Sequence, residues 1–403
     1  MKLAVLTSLV GLGASLTVGQ ETESSFIAGR LSQTKHFELN LTWESWAPDG
    51  VARKQFLING QFPGPPLIMD EGDNVEVTVN NFSPFNTTIH YHGIEKERRG
   101  QMVCLEFHRG RFCLVNGLSP NSLSSSMALT INNGGRYSCL VQLNKAPGKY
   151  PMTVANAGFN QKIAGFGTLS YTHTHGRSVV STPSINYGGL ATSTDVITLD
   201  ETVIEMFTPS QPSEHSDKTY ILTAGRIEKA WEWSLNGNHS YGLTLEAEKP
   251  VLWDPQSAAK SPLAIATKNN TWVDIIFILS GNTSTLQPGH PLHKHSNRAY
   301  ILGTGTGDFN YTSVADAVKA IPDSFNLINP PMRDTFTTLP AYQGKSWMAI
   351  RYHVQNPGAF LLHCHLDPHL TGGMGLAILD GIDAWPTIPS QYGPNGKWGI
   401  IDP

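Results

Sequence analysis

Residues 363–374 read His-Cys-His-Leu-Asp-Pro-His-Leu-Thr-Gly-Gly-Met, and they form the most specific motif of the chain. A cysteine thiolate, two imidazoles and a long axial thioether are the ligands of the blue-copper sites that transfer electrons. Cys364, His369 and Met374 supply three of these ligands from one loop, and His290 is the candidate for the second imidazole. The motif therefore predicts a copper-binding electron-transfer site in this part of the chain.

The two histidines that flank the cysteine predict a second metal site close to the first. Side chains alternate between the two faces of a strand, so His363 and His365 point to the side opposite Cys364. They can bind other metal ions while remaining covalently adjacent to the blue-copper ligand, which gives electrons a short path between two sites. A structural zinc site is the alternative, and it fits less well because such sites usually close with four local Cys or His ligands.

Two further arrays of histidine support metal chemistry. Residues 90–93 read His-Tyr-His-Gly, and two imidazoles at positions i and i+2 of a strand would face one metal. Residues 290–295 read His-Pro-Leu-His-Lys-His. The three arrays together hold eight of the 15 histidines, whereas an isolated histidine is more often an ordinary core or surface residue.

The composition predicts a folded, strand-rich protein. Apolar residues make up 40% of the 403 residues and charged residues 15%, which excludes a disordered chain. A net charge of −4 without a run of Lys or Arg argues against nucleic-acid binding. The many glycines and prolines suit short strands and tight turns.

Strand-type patterning covers most of the chain. Only residues 314–321 indicate a helix. Many short strands separated by turns predict an all-β protein built of antiparallel sandwiches or barrels. The predicted strands cover residues 36–42, 54–58, 74–80, 137–143, 152–155, 165–171, 219–224, 272–279, 298–302, 347–352 and 359–363.

The first residues predict secretion. Met1-Lys2 precedes an apolar run over residues 3–16 and small residues at Thr17 and Gly19, which is typical of a signal peptide covering residues 1–19. A membrane anchor is the weaker alternative, because the run is short and interrupted by Ser and Gly. No later segment is apolar enough to span a bilayer. Glycosylation sequons support a secreted glycoprotein and begin at Asn40, Asn81, Asn86, Asn238, Asn269, Asn282 and Asn310.

With these motifs, the chain resembles the multicopper oxidases, specifically their fungal laccase-like group. Three of the four ligand segments of that family are present, at residues 90–93, 290–295 and 363–369, and residues 56–65 match its opening pattern. The resemblance implies cupredoxin-like domains, which are Greek-key β-sandwiches, with the last one complete and the first two incomplete. The expected division is a signal peptide (1–19), part of a first domain (27–95), an unmatched segment (96–130), a remnant of a middle domain (131–175), a linker (176–217) and a C-terminal domain (218–386).

The resemblance also implies the metal ligands and the reaction. The family binds four copper ions and couples one-electron oxidation of phenolic or other aromatic molecules to reduction of dioxygen to water, so pigment or secondary-metabolite synthesis is an expected role. Cys364 with His363 and His365 would carry the electrons between copper centres. The implied ligands are His290, Cys364, His369 and axial Met374 for type 1 copper, His90 and His293 for type 2, and His92, His295, His363 and His365 for the type 3 pair.

One ligand segment of the family, a second His-x-His, is absent where the family has it. The only other His-x-His is His173-Thr-His175, which lies after the middle-domain remnant. Residues 95–128 look foreign to the family pattern and contain Cys104 and Cys113. Codons for residues 98–115 read one frame over are compatible with the family's Trp-x-Asp-Gly-x-Pro, so a frameshift or mis-spliced exon is our hypothesis for this segment.

Three functional hypotheses follow from this pattern. The first is a laccase-like oxidase, and the second is a truncated copper-binding protein that keeps only the type 1 site. The third, a ferroxidase, needs acidic residues beside the type 1 site, and Asp367 lies in the ligand loop. In all three, Cys364 is expected to be a free ligand outside any disulfide, and Cys139 a buried small apolar residue.

Overall fold

A computed structural model describes residues 34–92, 127–137, 148–156, 164–198, 206–242 and 251–387, with short gaps inside these ranges. The described residues belong to two compact units, one containing residues 34–92 and the other residues 127–387. None of the helices in the described part of the chain is long and apolar enough to span a membrane.

The first unit is built on a small sheet with the strand order β2-β1-β3. β1 pairs antiparallel with β2 and parallel with β3. Its alternating pattern buries Leu39 and Leu41, and Leu57 and Val75 are buried on the neighbouring strands. The three strands predicted here are confirmed as β1 (Thr34–Trp46), β2 (Arg53–Ile58) and β3 (Asn74–Asn81).

The second unit contains the remaining described strands. In chain order they are β4 (Met127–Ala128), β5 (Gly148–Ala155), β6 (Ala164–Tyr171), β7 (Val179–Val180), β8 (Ile197–Thr198), β9 (Lys218–Arg226), β10 (Trp233–Ser234), β11 (Ala264–Ala266), β12 (Trp272–Gly281), β13 (Pro291–Lys294), β14 (Ala299–Thr306), β15 (Met332–Arg333), β16 (Thr335–Thr337), β17 (Gly344–His353), β18 (Gly358–Cys364) and β19 (Gly375–Asp380). The described helices are α1 (Pro255–Ala258), α2 (Val314–Ala320) and α3 (Asp367–Thr371), with a 3-10 turn at Pro322–Ser324.

Two large sheets of the second unit form a β-sandwich. One sheet has the order β10-β9-β12-β17-β14-β15 and the other the order β11-β19-β18-β13-β16. A single apolar core takes Ile275 and Ile350 from the first sheet and Leu292 and Leu362 from the second. Two smaller sheets complete the described strands of this unit. One pairs β4 with β8, and the other has the strand order β6-β5-β7. The all-β, cupredoxin-like prediction is confirmed.

The outer face of the six-stranded sheet is covered by α2. Ser313 caps this helix, because its hydroxyl accepts a hydrogen bond from the Asp316 backbone N–H at 3.1 Å. Val314 and Ala317 pack in a second core cluster with Leu302 from the sheet. The helix predicted at residues 314–321 is therefore confirmed.

Two further short helices were not indicated by the sequence. The additional helices α1 and α3 have four and five residues, which is too short for helical periodicity to be visible in the sequence. Each begins with a proline in its first turn.

Several predictions fall outside the described residues. These are the signal peptide, the unmatched residues 96–126, most of the strand at 137–143, the cysteines Cys104, Cys113 and Cys139, and the pair His173 and His175. The division into domains made from the sequence stays a prediction.

Candidate metal centres

The pairing of β13 with β18 brings the histidine arrays together. In this antiparallel register Leu292 lies opposite Cys364 and His293 lies opposite His363. Since successive residues of a strand face opposite sides, Cys364 joins the apolar core with Leu292, and the two histidines share the other face. The side-by-side metal sites expected from residues 363–365 therefore have a structural basis in this ladder.

The first group, which we call the cysteine site, consists of His290, Cys364 and His369. The Nδ1 atoms of the two histidines are 3.1 Å apart, and the Cys364 Sγ lies 3.8 Å from His290 Nδ1 and 3.6 Å from His369 Nδ1. With metal–nitrogen bonds of about 2.0 Å and metal–sulfur bonds of about 2.3 Å, trigonal donors are separated by roughly 3.5–3.8 Å. The sulfur–nitrogen separations match these values, and the nitrogen–nitrogen separation of 3.1 Å corresponds to a narrower N–metal–N angle of about 100°. The three atoms therefore fit one metal ion with the His₂Cys donor set of blue copper.

Burial sets the protonation of the cysteine site. Burial, together with the charge of His369, lowers the pKa of His290 to about 3, and burial lowers the pKa of His369 to about 4. Both imidazoles are therefore neutral near pH 7. Burial raises the pKa of the Cys364 thiol to about 12, and this cysteine is free, as predicted. Binding a metal removes that thiol proton and releases the thiolate as a ligand.

A short loop closes the cysteine site. The Cys364 backbone N–H donates to the Met374 carbonyl at 3.0 Å, and the Met374 N–H donates to the His369 carbonyl at 2.9 Å. Gly373 has a φ of +97°, a left-handed conformation that favours glycine, and a Cβ there would collide with the Ser240 hydroxyl. Met374 is completely buried, and its role as axial ligand stays a prediction.

Trp233 is a site residue that the sequence did not indicate. Its ring stacks on His369 with the centroids 3.8 Å apart and meets His290 edge-on at 5.4 Å. Its backbone N–H donates to the Gly372 carbonyl at 2.8 Å, which ties β10 to the ligand loop. A residue 57 positions before the nearest ligand gives no local signal of this contact.

The second group, which we call the histidine site, consists of His293, His295 and His363, whose ligand atoms lie within 4.8 Å of one another. The Nε2 atoms of His295 and His363 are 3.2 Å apart. His363 Nδ1 donates to the Cys364 carbonyl at 2.9 Å, and His293 Nδ1 donates to the Asp334 carbonyl at 2.9 Å. With the protons of His293 and His363 on Nδ1, their Nε2 lone pairs can act as metal ligands, the arrangement typical of metal-bound histidine.

His365 lies at the edge of the histidine site. Its ring centroid is 5.7 Å from that of His363 and 5.9 Å from that of His293.

Asp367, the acid of the ferroxidase hypothesis, is exposed and is the first residue of α3. Burial lowers the pKa of His363, and the negative charge of Asp367 counteracts part of that effect.

His90 and His92 belong to the first unit. The prediction that they lie on a strand was wrong, because β3 ends at Asn81 and residues 89–92 are not paired in a sheet. Their rings nevertheless lie close together, with centroids 5.0 Å apart. Their role as copper ligands stays a prediction.

A buried ion pair supports the segment that carries the histidine site. Lys294 Nζ lies 3.0 Å from Asp380 Oδ2, and both side chains are fully buried. The hydroxyls of Tyr352 and Thr267 donate to the other oxygen of Asp380 at 2.8 and 3.0 Å. Lys294 stands between His293 and His295, so this network anchors the end of β13, which carries His293 and directly precedes His295.

Comparison with known proteins agrees with this geometry. Two multicopper oxidase family models match residues 40–106 and 227–383. Laccase abr2 of Aspergillus fumigatus is 30% identical over 564 aligned positions, which cover 88% of this chain and 96% of that protein. Because this alignment is longer than the 403-residue chain, the Aspergillus protein has segments without a counterpart here.

Other fungal relatives match over a smaller share of their length. Multicopper oxidase GIP1 of Gibberella zeae is 40% identical over 270 positions, covering 66% of this chain and 39% of that protein. Laccase 1 of Metarhizium anisopliae is 34% identical over 293 positions, covering 69% of this chain and 48% of that protein. The chain thus spans less than half the length of these two relatives.

Solved structures show the same fold. The laccase from Botrytis aclada superposes with a TM-score of 0.57 at 16% identity, covering 89% of each chain. Fet3p, a multicopper oxidase that functions in iron import, superposes with a TM-score of 0.51 at 16% identity, covering 86% of this chain and 90% of that one.

The fold, the paired sites and the sequence matches define an oxidoreductase class, and the chain belongs to the multicopper oxidase family. Within that family it is laccase-like, as its similarity to fungal laccases shows. Membership implies copper, and the donor sets of the cysteine and histidine sites fit that metal.

Proposed function

We propose that the chain is a secreted laccase-like oxidase that takes single electrons from phenolic or other aromatic small molecules and passes them to dioxygen, forming water. The single observation that carries this proposal is the juxtaposition of the two sites through Cys364. This residue provides the thiolate of the cysteine site, and its neighbour His363 belongs to the histidine site. An isolated electron-transfer protein has no need of a second site so close to the first.

Two connections join the sites, and both consist of residues of this chain. The first is the covalent backbone from Cys364 to His363. The second is the hydrogen bond from His363 Nδ1 to the Cys364 carbonyl at 2.9 Å. Copper bound at these sites would supply one-electron redox chemistry. The chain's own contribution is to hold neutral imidazoles and a buried thiol in place and to exclude water from them, because Cys364 and His290 are fully buried.

The substrate side is proposed at His369. This imidazole is only partly buried, whereas His290 is completely buried. The shortest electron-transfer path from a small molecule at the surface to the cysteine site therefore runs through His369. The laccase names of fungal relatives support an aromatic substrate, and we propose a role in pigment or secondary-metabolite synthesis. Secretion with glycosylation rests on the signal-peptide pattern and the sequons.

The ligand roles implied by the family complete the proposal. His290, Cys364 and His369, with Met374 axial, are the proposed type 1 ligands. The remaining proposed ligands, of the type 2 and type 3 coppers in a set of four, are His90, His92, His293, His295, His363 and His365.

The test uses the full chain loaded with copper. We expect the intense thiolate-to-copper absorption, together with dioxygen consumption that depends on an added phenol. The Cys364→Ser variant is the matched control and should show neither. Thiolate-to-copper absorption in the wild-type chain without phenol-dependent dioxygen consumption would contradict the oxidase. That result would favour the alternative, a truncated copper-binding protein that keeps only the type 1 site.

A further inference from the structure

We propose that Gly134–Arg136 is a positioning strap for the histidine site, holding His293 in one tautomer and orientation and confining His365. The inference rests on the proposed function, since it assigns these histidines a metal to bind. The strap comes from a segment about 200 residues before its target. Neither Gly134 nor Arg136 is among the ligands that the family resemblance implies.

A bidentate salt bridge between Arg136 and Asp334 holds the strap in place. Arg136 donates from both terminal nitrogens to the Asp334 carboxylate, one bond to each oxygen, each at 2.7 Å. The Asp334 side chain is almost fully buried, with 6% exposure. Arg136 also donates to the Gly134 carbonyl at 2.8 Å, which stiffens the strap itself. A paired fork of this kind fixes direction as well as distance.

Asp334 also contacts His293, a proposed metal ligand, through its backbone carbonyl. The Asp334 carbonyl accepts the His293 Nδ1 hydrogen at 2.9 Å and the Lys294 backbone N–H at 2.9 Å. The Thr335 hydroxyl lies 3.2 Å from the same His293 nitrogen. Fixing the Asp334 side chain therefore fixes the carbonyl that keeps the proton of His293 on Nδ1 and the lone pair on Nε2.

The glycine of the strap meets the neighbouring histidine directly. A Cβ added to Gly134 would lie 2.6 Å from the Cδ2 atom of His365, and Gly134 has a φ of +78°. Only glycine allows the backbone to pass so close to the ring at that φ. Contact with this backbone limits the rotation of the His365 imidazole.

A second contact holds the end of the strap. The Arg333 guanidinium lies over the Tyr137 ring, 4.5 Å from its centroid, and donates to the Arg136 carbonyl at 3.5 Å. The strap is thus held by two adjacent residues, Arg333 and Asp334. Residues 134–137 and residues 333–335 together form one support beneath His293.

Loss of Arg136 is expected to affect both the histidine site and stability. The Arg136 side chain is 51% exposed, but its partner Asp334 is only 6% exposed, so removing Arg136 leaves a nearly buried carboxylate without its cation. The His293 tautomer and the thiolate-to-copper absorption are therefore needed to distinguish positioning from a general loss of folding. Lysine should replace it poorly, because a single ammonium cannot form the two parallel bonds.

The test compares Arg136→Ala, Arg136→Lys and the control Lys345→Ala in the full chain. Lys345 is about as exposed as Arg136 and forms an ion pair with the exposed Asp308 elsewhere in the second unit, so the control removes a cation without leaving a buried carboxylate. Copper affinity is measured by chelator competition, with electron paramagnetic resonance separating copper at the two sites. In metal-free protein, nitrogen NMR of labelled histidine reports the tautomer of His293.

We expect Arg136→Ala to weaken copper binding at the histidine site by about 10- to 100-fold, the range for supporting partners of metal ligands. The thiolate-to-copper absorption should stay unchanged, and His293 should lose its single Nδ1–H tautomer. Arg136→Lys should resemble Arg136→Ala, and Lys345→Ala should resemble the wild type.

An Arg136→Ala protein with wild-type copper affinity and a wild-type His293 tautomer would overturn the strap. If Arg136→Ala caused a general loss of folding, the thiolate-to-copper absorption would be lost as well. In that case the Gly134→Ala variant provides a second, independent test through its contact with His365. If the wild type consumes no dioxygen with phenol while the His293 tautomer still depends on Arg136, the proposed function fails and the strap stands.

Discussion

The cysteine site and the histidine site share one strand, but they are held in different ways. The cysteine site takes two of its three donors from residues 364–369, and its surroundings are apolar or aromatic, with Trp233 stacked on His369. The histidine site is held by hydrogen bonds and ion pairs from distant parts of the second unit, through Asp334 and Asp380. One site is therefore fixed by loop closure and burial, and the other by polar contacts.

The largest expected effect comes from a substitution that removes a donor from the cysteine site and none from the histidine site. Cys364→Ser removes the only thiolate of the cysteine site, so the thiolate-to-copper absorption should vanish and phenol oxidation should fall to background. The histidine site keeps its three donors, His293, His295 and His363, so it should still bind copper. Absorption spectra and copper counting provide the measurement, and loss of all copper would show that the sites do not bind independently.

A second large effect should come from the ion pair beneath the histidine site. Lys294→Met leaves the Asp380 carboxylate buried without its cation, and breaking a buried pair in this way costs about 3–5 kcal/mol. We expect urea unfolding to show a loss of this size. Lys345→Met is the control, because its partner Asp308 is exposed and the loss there should be below about 1 kcal/mol. Equal losses in the two variants would contradict a special role for the buried pair.

The difference between the sites also explains what the sequence could predict. Cys364, His369 and Met374 lie within one loop, so their spacing alone indicated a metal site. Strands such as β12 and β17 were predicted well, because a continuous apolar run of strand length is visible locally. The same local character allowed α2 to be predicted from its helical pattern.

The supporting contacts could not be predicted in this way. Arg136 and Asp334 are 198 positions apart, and nothing near either residue marks it as the partner of the other. Trp233 lies on a strand of two residues, too short to show any alternation. Strand β13, with four residues, is also too short to show a pattern, although its histidine His293 was identified from the motif. Roles that depend on long-range packing leave no periodic signal in a single sequence.

A moderate effect should come from the loop that closes the cysteine site. Gly373→Ala places a side chain at a φ of +97° and against the Ser240 hydroxyl, and the left-handed conformation alone costs about 1–2 kcal/mol. We expect unfolding to require correspondingly less urea and the thiolate-to-copper absorption to shift. Paramagnetic resonance of copper at the histidine site should stay as in the wild type, and a change there would show that the loop supports both sites.

The smallest expected effect concerns the ring that covers His369. Trp233→Phe keeps an aromatic face on the imidazole but removes part of the stacked area, and aromatic pairs are worth about 0.5–1.5 kcal/mol beyond simple burial. We therefore expect a stability loss of about 1 kcal/mol in urea unfolding. Trp231→Phe is the matched control, because that tryptophan is 70% exposed and the same substitution should leave stability nearly unchanged.

The same pair of variants tests whether the Trp233 ring serves the cysteine site alone. The ring contacts His369 and His290 and ties its strand to Gly372 through the backbone, so Trp233→Phe should alter the thiolate-to-copper absorption slightly. Copper affinity at the histidine site should not change, because that site depends on Asp334 and Asp380 instead. A loss of affinity there, with the absorption unchanged, would mean that the aromatic contact supports the shared strand β18 and not the loop.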